Sequence, residues 1–236
     1  MQYTRYILLL LLIMGGGSQA LAQKETVFAA IQEMNQRYEQ LENYHLQVNY
    51  SWYSTWYSGT VGATSKGEMS RVGEQYRSRV GDSETIQTKK DRIEIDHLNQ
   101  SVYYLPNAHK KLPQMAGLEL EQAMALCTKA ETATNAAGKT CYRLFFQEGM
   151  PFARIDVYLN PQSGLLDQLV LFYAQAQQFG DVALDDPGTK PRLEIRYTQH
   201  AEATTGPISV DPVLRFEKKV PQLQPKYKNY ELIRLG

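Results

Sequence analysis

The sequence predicts an α+β fold, with helices gathered on one side of a curved antiparallel β-sheet. Three observations carry this. An amphipathic helix opens the part of the chain that should fold. The hydrophobic period then switches from 3.6 to 2. The short alternating runs that follow are separated by tight Gly, Asn and Asp turns, the pattern of an antiparallel meander. The chain has 236 residues, 43% hydrophobic and 21% charged, which suits one domain or at most two and excludes a disordered chain. Its formal net charge is zero, so electrostatics give no case for nucleic-acid binding. The 16 Tyr against 7 Phe and 2 Trp point to surfaces that are apolar along one side and wet at the rim.

Residues 1–22 read as a secretory signal peptide. Arg5 precedes the apolar run Ile7–Met14, Gly15-Gly16-Gly17-Ser18 breaks it, and Ala20-Leu21-Ala22 is a cleavage signature. An eight-residue apolar run is far short of the ~20 needed to span a bilayer. The expectation is cleavage near Ala22, an exported chain from Gln23, and a single domain over 23–236.

The first helix is expected over Glu25–Asn43, because Val27, Ile31, Met34, Tyr38 and Leu41 recur at spacings of 4, 3, 4 and 3. Tyr44, Leu46, Val48, Tyr50 and Trp52 then alternate with polar residues as a long strand. The meander follows as Gly67–Val72, Gln75–Val80, Thr85–Lys89, Arg92–Asp96 and Val102–Leu105. After Pro106 and the Lys-rich loop His109-Lys110-Lys111, Leu118 to about Ala133 reads as a second helix. Cys141–Gln147 and Ala153–Leu159 return to period 2. Asn160-Pro161-Gln162-Ser163-Gly164 makes a hairpin turn, and Leu165–Ala174 is apolar on both faces, so something must cover each side. Arg192–Thr198 is a last strand.

Cys127 and Cys141 are the only two cysteines, and an even count in an exported chain predicts a disulfide between them. Catalytic motifs are missing: there is no G-x-S-x-G, H-E-x-x-H, P-loop or G-x-G-x-x-G. The His residues at 45, 97, 109 and 200 form no ligand spacing, Asp96-His97 point to opposite faces of a strand, and Asp181, Asp185 and Asp186 lack EF-hand spacing. A non-enzyme without metal or cofactor is expected. Tyr50, Trp52, Tyr53, Trp56 and Tyr57 put five aromatics in eight residues. They are either aromatic packing under the helix or the wall of an apolar cavity, with Trp52 and Trp56 on one face and Tyr53 and Tyr57 on the other.

Taken together, the opening helix, the aromatic strand, Gly67-Glu68-Met69, Ile93-Glu94-Ile95-Asp96, Val102-Tyr103-Tyr104-Leu105-Pro106, a central helix and the strand pair joined at Ser163-Gly164 resemble the periplasmic outer-membrane lipoprotein carrier (LolA-like) family. The resemblance covers roughly residues 25–216 and is best over 25–106. It implies an incomplete, curved antiparallel barrel with helices packed as a lid on its concave side, and a soluble, monomeric periplasmic protein that shields acyl chains of a lipoprotein or another lipidated ligand. Donor and acceptor proteins at the inner and outer membranes are implied as partners. The alternative is an envelope protein-binding or stress-sensing module of the same fold.

The implied cavity wall falls on Leu46, Val48, Tyr50 and Trp52, on Met69 and Tyr76, on Ile93, Ile95 and Tyr103, and on Val157, Leu169 and Leu171. The implied lid falls on Leu118, Met124 and Leu126. The family's Arg-Pro latch is absent: the matching position reads Gly73-Glu74, which leaves Arg71 and Arg77 as latch candidates.

Overall fold

The computed structural model describes residues 3–108, 120–135, 138–176, 190–200 and 207–235. It is α+β, as predicted. Two compact units divide the chain: residues 1–39, 51–63 and 118–195 form one, and residues 40–50, 64–117 and 196–236 the other. Among the described residues no helix is long and apolar enough to cross a membrane.

The first unit contains the helix α1 (Tyr3–Gln40) and the strands β7 (Cys127–Thr134), β8 (Thr140–Phe146), β9 (Phe152–Leu159) and β10 (Leu166–Tyr173), with α2 (Leu120–Leu126) before β7. The strands run in the order β10-β9-β8-β7, and each neighbouring pair is antiparallel. The β9–β10 turn forms as the sequence predicts. Asn160 Oδ1 accepts from the backbone N–H of Gln162 (2.9 Å) and Ser163 (3.1 Å), and Gly164 takes φ +68°. That left-handed geometry favours Gly.

The second unit contains residues 43–50 of β1 (Asn43–Tyr53), then β2 (Ala63–Val72), β3 (Gln75–Val80), β4 (Ser83–Gln87), β5 (Arg92–Asp96), β6 (Ser101–Leu105) and β14 (Glu231–Arg234). Their order is β14-β6-β5-β4-β3-β2-β1. β2 to β6 pair antiparallel with one another in sequence order, while β14 joins β6 in parallel. A separate hairpin, β12 (Leu214–Glu217) with β13 (Val220–Leu223), lies in this unit's C-terminal segment. β11 (Arg192–His200), like β1, contributes residues to both units. β7 and β14 are terminal strands of their orders.

Three expectations are corrected. The helix predicted over Leu118–Ala133 ends at Leu126, and residues 127–134 are strand β7. Thr128, Thr132 and Thr134 are β-branched, and a strand edge to pair with, which β8 supplies, outweighs a local helical pattern. The predicted disulfide is also absent: Cys127 and Cys141 are both buried free thiols. The β7–β8 register sets Cys127 opposite Phe146 and Cys141 opposite Ala133. The two cysteines therefore stand near opposite ends of one hairpin, six strand residues or ~20 Å apart, where a bridge needs Cα atoms within ~7 Å. Lastly, β1 ends at Tyr53, so alternation does not extend to Trp56 and Tyr57.

Candidate functional site

In the first unit, four residues of the predicted stripe are buried, Val27 and Ile31 at 0% exposed, Met34 at 1% and Tyr38 at 6%, whereas the fifth, Leu41, is half-buried and lies past the end of α1 at Gln40, short of the predicted Asn43. The strand register builds an apolar face in the same unit. Leu169 stands opposite Val157, which stands opposite Tyr142; Leu171 stands opposite Ile155, which stands opposite Leu144. All of these but the half-buried Tyr142 are buried. Polar contacts among the described residues hold the helix to the strands. Lys24 Nζ donates to the Cys127 carbonyl (2.9 Å), Arg37 Nη1 to the Ser163 carbonyl (3.0 Å), and the Leu166 N–H to Tyr38 Oη (3.3 Å).

A groove of about 440 Å³ opens between the helix and the strand ends, with Ala30, Met34, Tyr142 and Leu159 as its apolar lining. Arg37 and Lys139 stand in its polar lining. Each has a carboxylate partner: Arg37 pairs with Glu33 (2.6 Å) and Lys139 with Asp167 (2.9 Å). A Cβ built on Gly164 would lie 2.9 Å from Arg37 Nε, so glycine is what lets this guanidinium lie down on the turn. Arg37 escaped the sequence reading because it sits on the polar side of the helix, and its partner carbonyl is 126 residues away. A cation in the last helical turn was the available signal.

The other face of these strands carries Cys141, Tyr158, Val170 and Phe172 as a buried cluster, with Trp56 packed against it. Trp56 meets Phe172 edge-on at 5.7 Å and donates its Nε1–H to the Tyr173 carbonyl (3.0 Å). Arg192 Nη1 donates to the Trp56 carbonyl (2.5 Å), which pins the loop after β1. Tyr57, next along the loop, is 90% exposed. Asp156, buried at the same face, takes Arg154 at 2.9 Å and Arg143 at 3.7 Å. Burial holds its carboxyl above the usual range in spite of these cations.

Burial, reinforced by Asp156, raises the Cys141 thiol from 9.0 to about 11. The folded state therefore keeps a proton that the unfolded chain releases. This stabilisation is complete below the unfolded value near 9 and is lost as pH rises towards 11. The melting temperature should accordingly fall between pH 9 and 11, and Cys141→Ala should flatten that slope whatever it does to stability at pH 7. An unchanged slope in the variant would assign the fall to other groups; burial also raises Tyr50 to about 12.

In the second unit, cross-strand pairing separates two faces. Ser70, Arg77, Ile86, Ile93 and Tyr104 stand in one row of direct partners, and Met69, Ser78, Thr85, Glu94 and Tyr103 in the next. Adjacent residues alternate faces. Ile93 and Ile95 thus point away from the face of Met69, Tyr76 and Tyr103. His45 Nδ1 lies 2.8 Å from Ser70 Oγ, which puts Leu46, Val48 and Tyr50 on the Met69 face. The apolar side of this sheet therefore changes hands between β3 and β4. Ile93 and Ile95 pack with Ile208, Val210, Val213, Leu214 and Tyr227 of the C-terminal segment. The two isoleucines and the other second-unit wall candidates cannot line one cavity.

Leu46, Val48 and Ile93 are 0% exposed, Ile95 2%, Met69 and Tyr76 3% and Tyr50 8%, while Trp52 and Tyr103 are half-buried. Of the lid candidates, Met124 is buried and Leu126 is 50% exposed on α2, and Leu118 lies outside the described residues, as do His109, Lys110, Lys111, Asp181, Asp185 and Asp186. Arg71 Nε donates to the Gly73 carbonyl (2.8 Å). Arg77 binds the buried Glu84 carboxylate (2.8 Å), which His97 Nε2 also approaches at 3.5 Å. His97 and Asp96 do not act together: Asp96 accepts from the Asn99 backbone and side-chain N–H groups, while His97 Nδ1 lies 2.9 Å from Tyr230 Oη.

No family model matches the chain, and neither does any curated protein. Among solved structures it is similar to the Pseudomonas aeruginosa MucA/MucB complex, with 12% identity, a TM-score of 0.43, and coverage of 84% of this chain and 63% of that one. A putative outer membrane lipoprotein-sorting protein domain from Vibrio parahaemolyticus matches with 12% identity and a TM-score of 0.33, over 79% of this chain and 95% of that one. A LolA superfamily protein from Nitrosomonas europaea matches with 6% identity and a TM-score of 0.30, over 71% and 90%.

Proposed function

We propose that this is an exported carrier that shields the acyl chain of a lipoprotein or another lipidated ligand from water, with no chemistry and no cofactor. The observation that carries the reading is the amphipathic part of helix α1, where Val27, Ile31, Met34 and Tyr38 are buried, bordered by a groove with an apolar lining of Ala30, Met34, Tyr142 and Leu159. Each buried CH₂ contributes about 0.8 kcal/mol, so part of an acyl chain suffices for binding. The Lys24 and Arg37 contacts that hold the helix are partly or fully exposed, which suits a cover that must let cargo go. The apolar face of Leu46, Val48, Tyr50, Met69 and Tyr76 is a second candidate wall. The signal-like residues 1–22 support a periplasmic address, with the mature chain starting near Gln23.

The second reading is an envelope protein-binding module with a filled core; the full burial of Leu46, Val48 and Leu169 favours it. Mass spectrometry of lipid extracted from the exported protein, together with binding of a fluorescent fatty acid, decides between them. The carrier reading expects co-purified lipid, probe binding, and release accelerated several-fold by Arg37→Leu. No lipid and no probe binding would favour the filled module.

A further inference from the structure

We propose that the β12–β13 hairpin docks the protein onto the surface of an anionic phospholipid bilayer. Residues 215–220, Arg-Phe-Glu-Lys-Lys-Val, are six consecutive exposed residues. They include two large apolar side chains in the open: Phe216 is 44% exposed and Val220 57%. The hairpin register pairs Phe216 with Pro221 and Glu217 with Val220, so Phe216 and Val220 stand on opposite faces of the ribbon. The Phe216 ring packs edge-on against Tyr104 at 6.0 Å, which steadies it without hiding it.

Charge gathers at the same place. Arg215, Lys218, Lys219, Lys226 and Lys228 fall within 14 residues that hold one acid, Glu217, in a chain whose formal net charge is zero. Glu217 is 3.4 Å from Arg215, and the two lysines form the turn itself.

The turn is an odd choice for folding alone. Lys218 and Lys219 both take left-handed backbone, with φ +50° and +68°. A two-residue hairpin turn of this kind prefers Asn-Gly or Gly-Gly, because a Cβ is strained there. Here the strained positions carry two cations at the tip of a ribbon that exposes Phe216 and Val220. Local strain kept at an exposed tip points to a use for the side chains held there.

A bilayer interface fits this arrangement better than a protein groove does. A groove would match one face of the ribbon, whereas the headgroup region accepts apolar side chains on both faces and cations around them. Each Lys near an anionic surface strengthens binding about 5-fold, an effect that salt screens.

The test is co-sedimentation of the full protein with vesicles of phosphatidylcholine containing 30 mol% phosphatidylglycerol, at about 50 mM and about 500 mM salt. The wild type is expected to bind these at low salt and to leave pure phosphatidylcholine vesicles in solution. Lys218→Asn combined with Lys219→Gly should weaken binding about 25-fold and raise the melting temperature, since the turn strain is relieved. That pairing of weaker binding with higher stability rules out unfolding as the cause. Val220→Ser should weaken binding several-fold with an unchanged melt. Absence of wild-type binding, equal binding to both vesicle types, or wild-type binding by the double variant would each overturn the proposal. Binding to soluble polyglutamate that equals vesicle binding and ignores Val220→Ser would overturn it in favour of an acidic protein partner. The result is independent of the cargo reading: vesicle binding without fatty-acid uptake keeps this proposal and removes the carrier, and the reverse outcome does the opposite.

Discussion

Ile31→Ala is expected to lower stability by about 3 kcal/mol, the cost of an aliphatic-to-alanine change in a packed site. Ile31 is 0% exposed and sits midway along the buried α1 stripe, so the lost methyl groups leave a void at the helix–sheet contact. For a chain of this size the melting temperature should fall by ~9 °C. Gln32→Ala, one residue on and exposed, should stay within about 0.5 kcal/mol and serves as the control. The location of the loss matters as much as its size. If α1 is a removable cover, hydrogen exchange in residues 22–40 should rise while β2 to β6 keep their protection, and fatty-acid probe uptake should become faster. If the whole first unit loses protection together, α1 is an integral layer of the core and the cover reading fails.

Gly67→Ala is expected to destabilise by about 2 kcal/mol, and Gly67→Val by more. In an ordinary strand interior, Gly→Ala is stabilising, because alanine has less conformational freedom to lose. Here the sign reverses. A Cβ at Gly67 would lie 2.8 Å from the Arg79 carbonyl oxygen, 3.1 Å from Val80 Cγ2 and 3.3 Å from Tyr50 Cε2. The first is backbone held in the β2–β3 ladder, where Gly67 pairs with Val80, so it cannot swing aside as a long side chain would. Equilibrium urea unfolding of Gly67→Ala measures the effect. Stability equal to or above wild type would mean that the two strands separate cheaply at this point.

Much of the local structure was legible. The stripe of Val27, Ile31, Met34, Tyr38 and Leu41 predicted a helix with one buried face; the first four are buried on α1, and Leu41 falls past its end. The predicted ranges Gln75–Val80 and Arg92–Asp96 coincide with β3 and β5. The Asn160–Gly164 turn forms through the Asn160 side chain and a left-handed glycine. These features rest on interactions between residues close in sequence, so a periodicity or a turn residue carries them.

The site was legible only in pieces. Residues 127–134 form a strand because β8 offers an edge to pair with, and no local pattern announces that edge. The same pairing separates Cys127 from Cys141, against the rule that paired cysteines in an exported chain bridge. Met69 and Ile93 each sit in a predicted strand, yet the register sends them to opposite faces, since a shift of one residue reverses a whole strand. Ile93 lies under the C-terminal residues Ile208, Val210 and Tyr227, more than a hundred positions away.

By itself, then, the sequence determined an α+β chain with an export-like start, an amphipathic opening helix, an aromatic-rich meander and no catalytic motif. Tertiary structure alone decided which face each strand buries, that Arg37 reaches the Ser163 carbonyl, and that the cysteines stay apart. The physical reason is range. Periodicity and turn chemistry act over a few residues, whereas register, burial partners and long-range hydrogen bonds are set by which distant segments exclude water together.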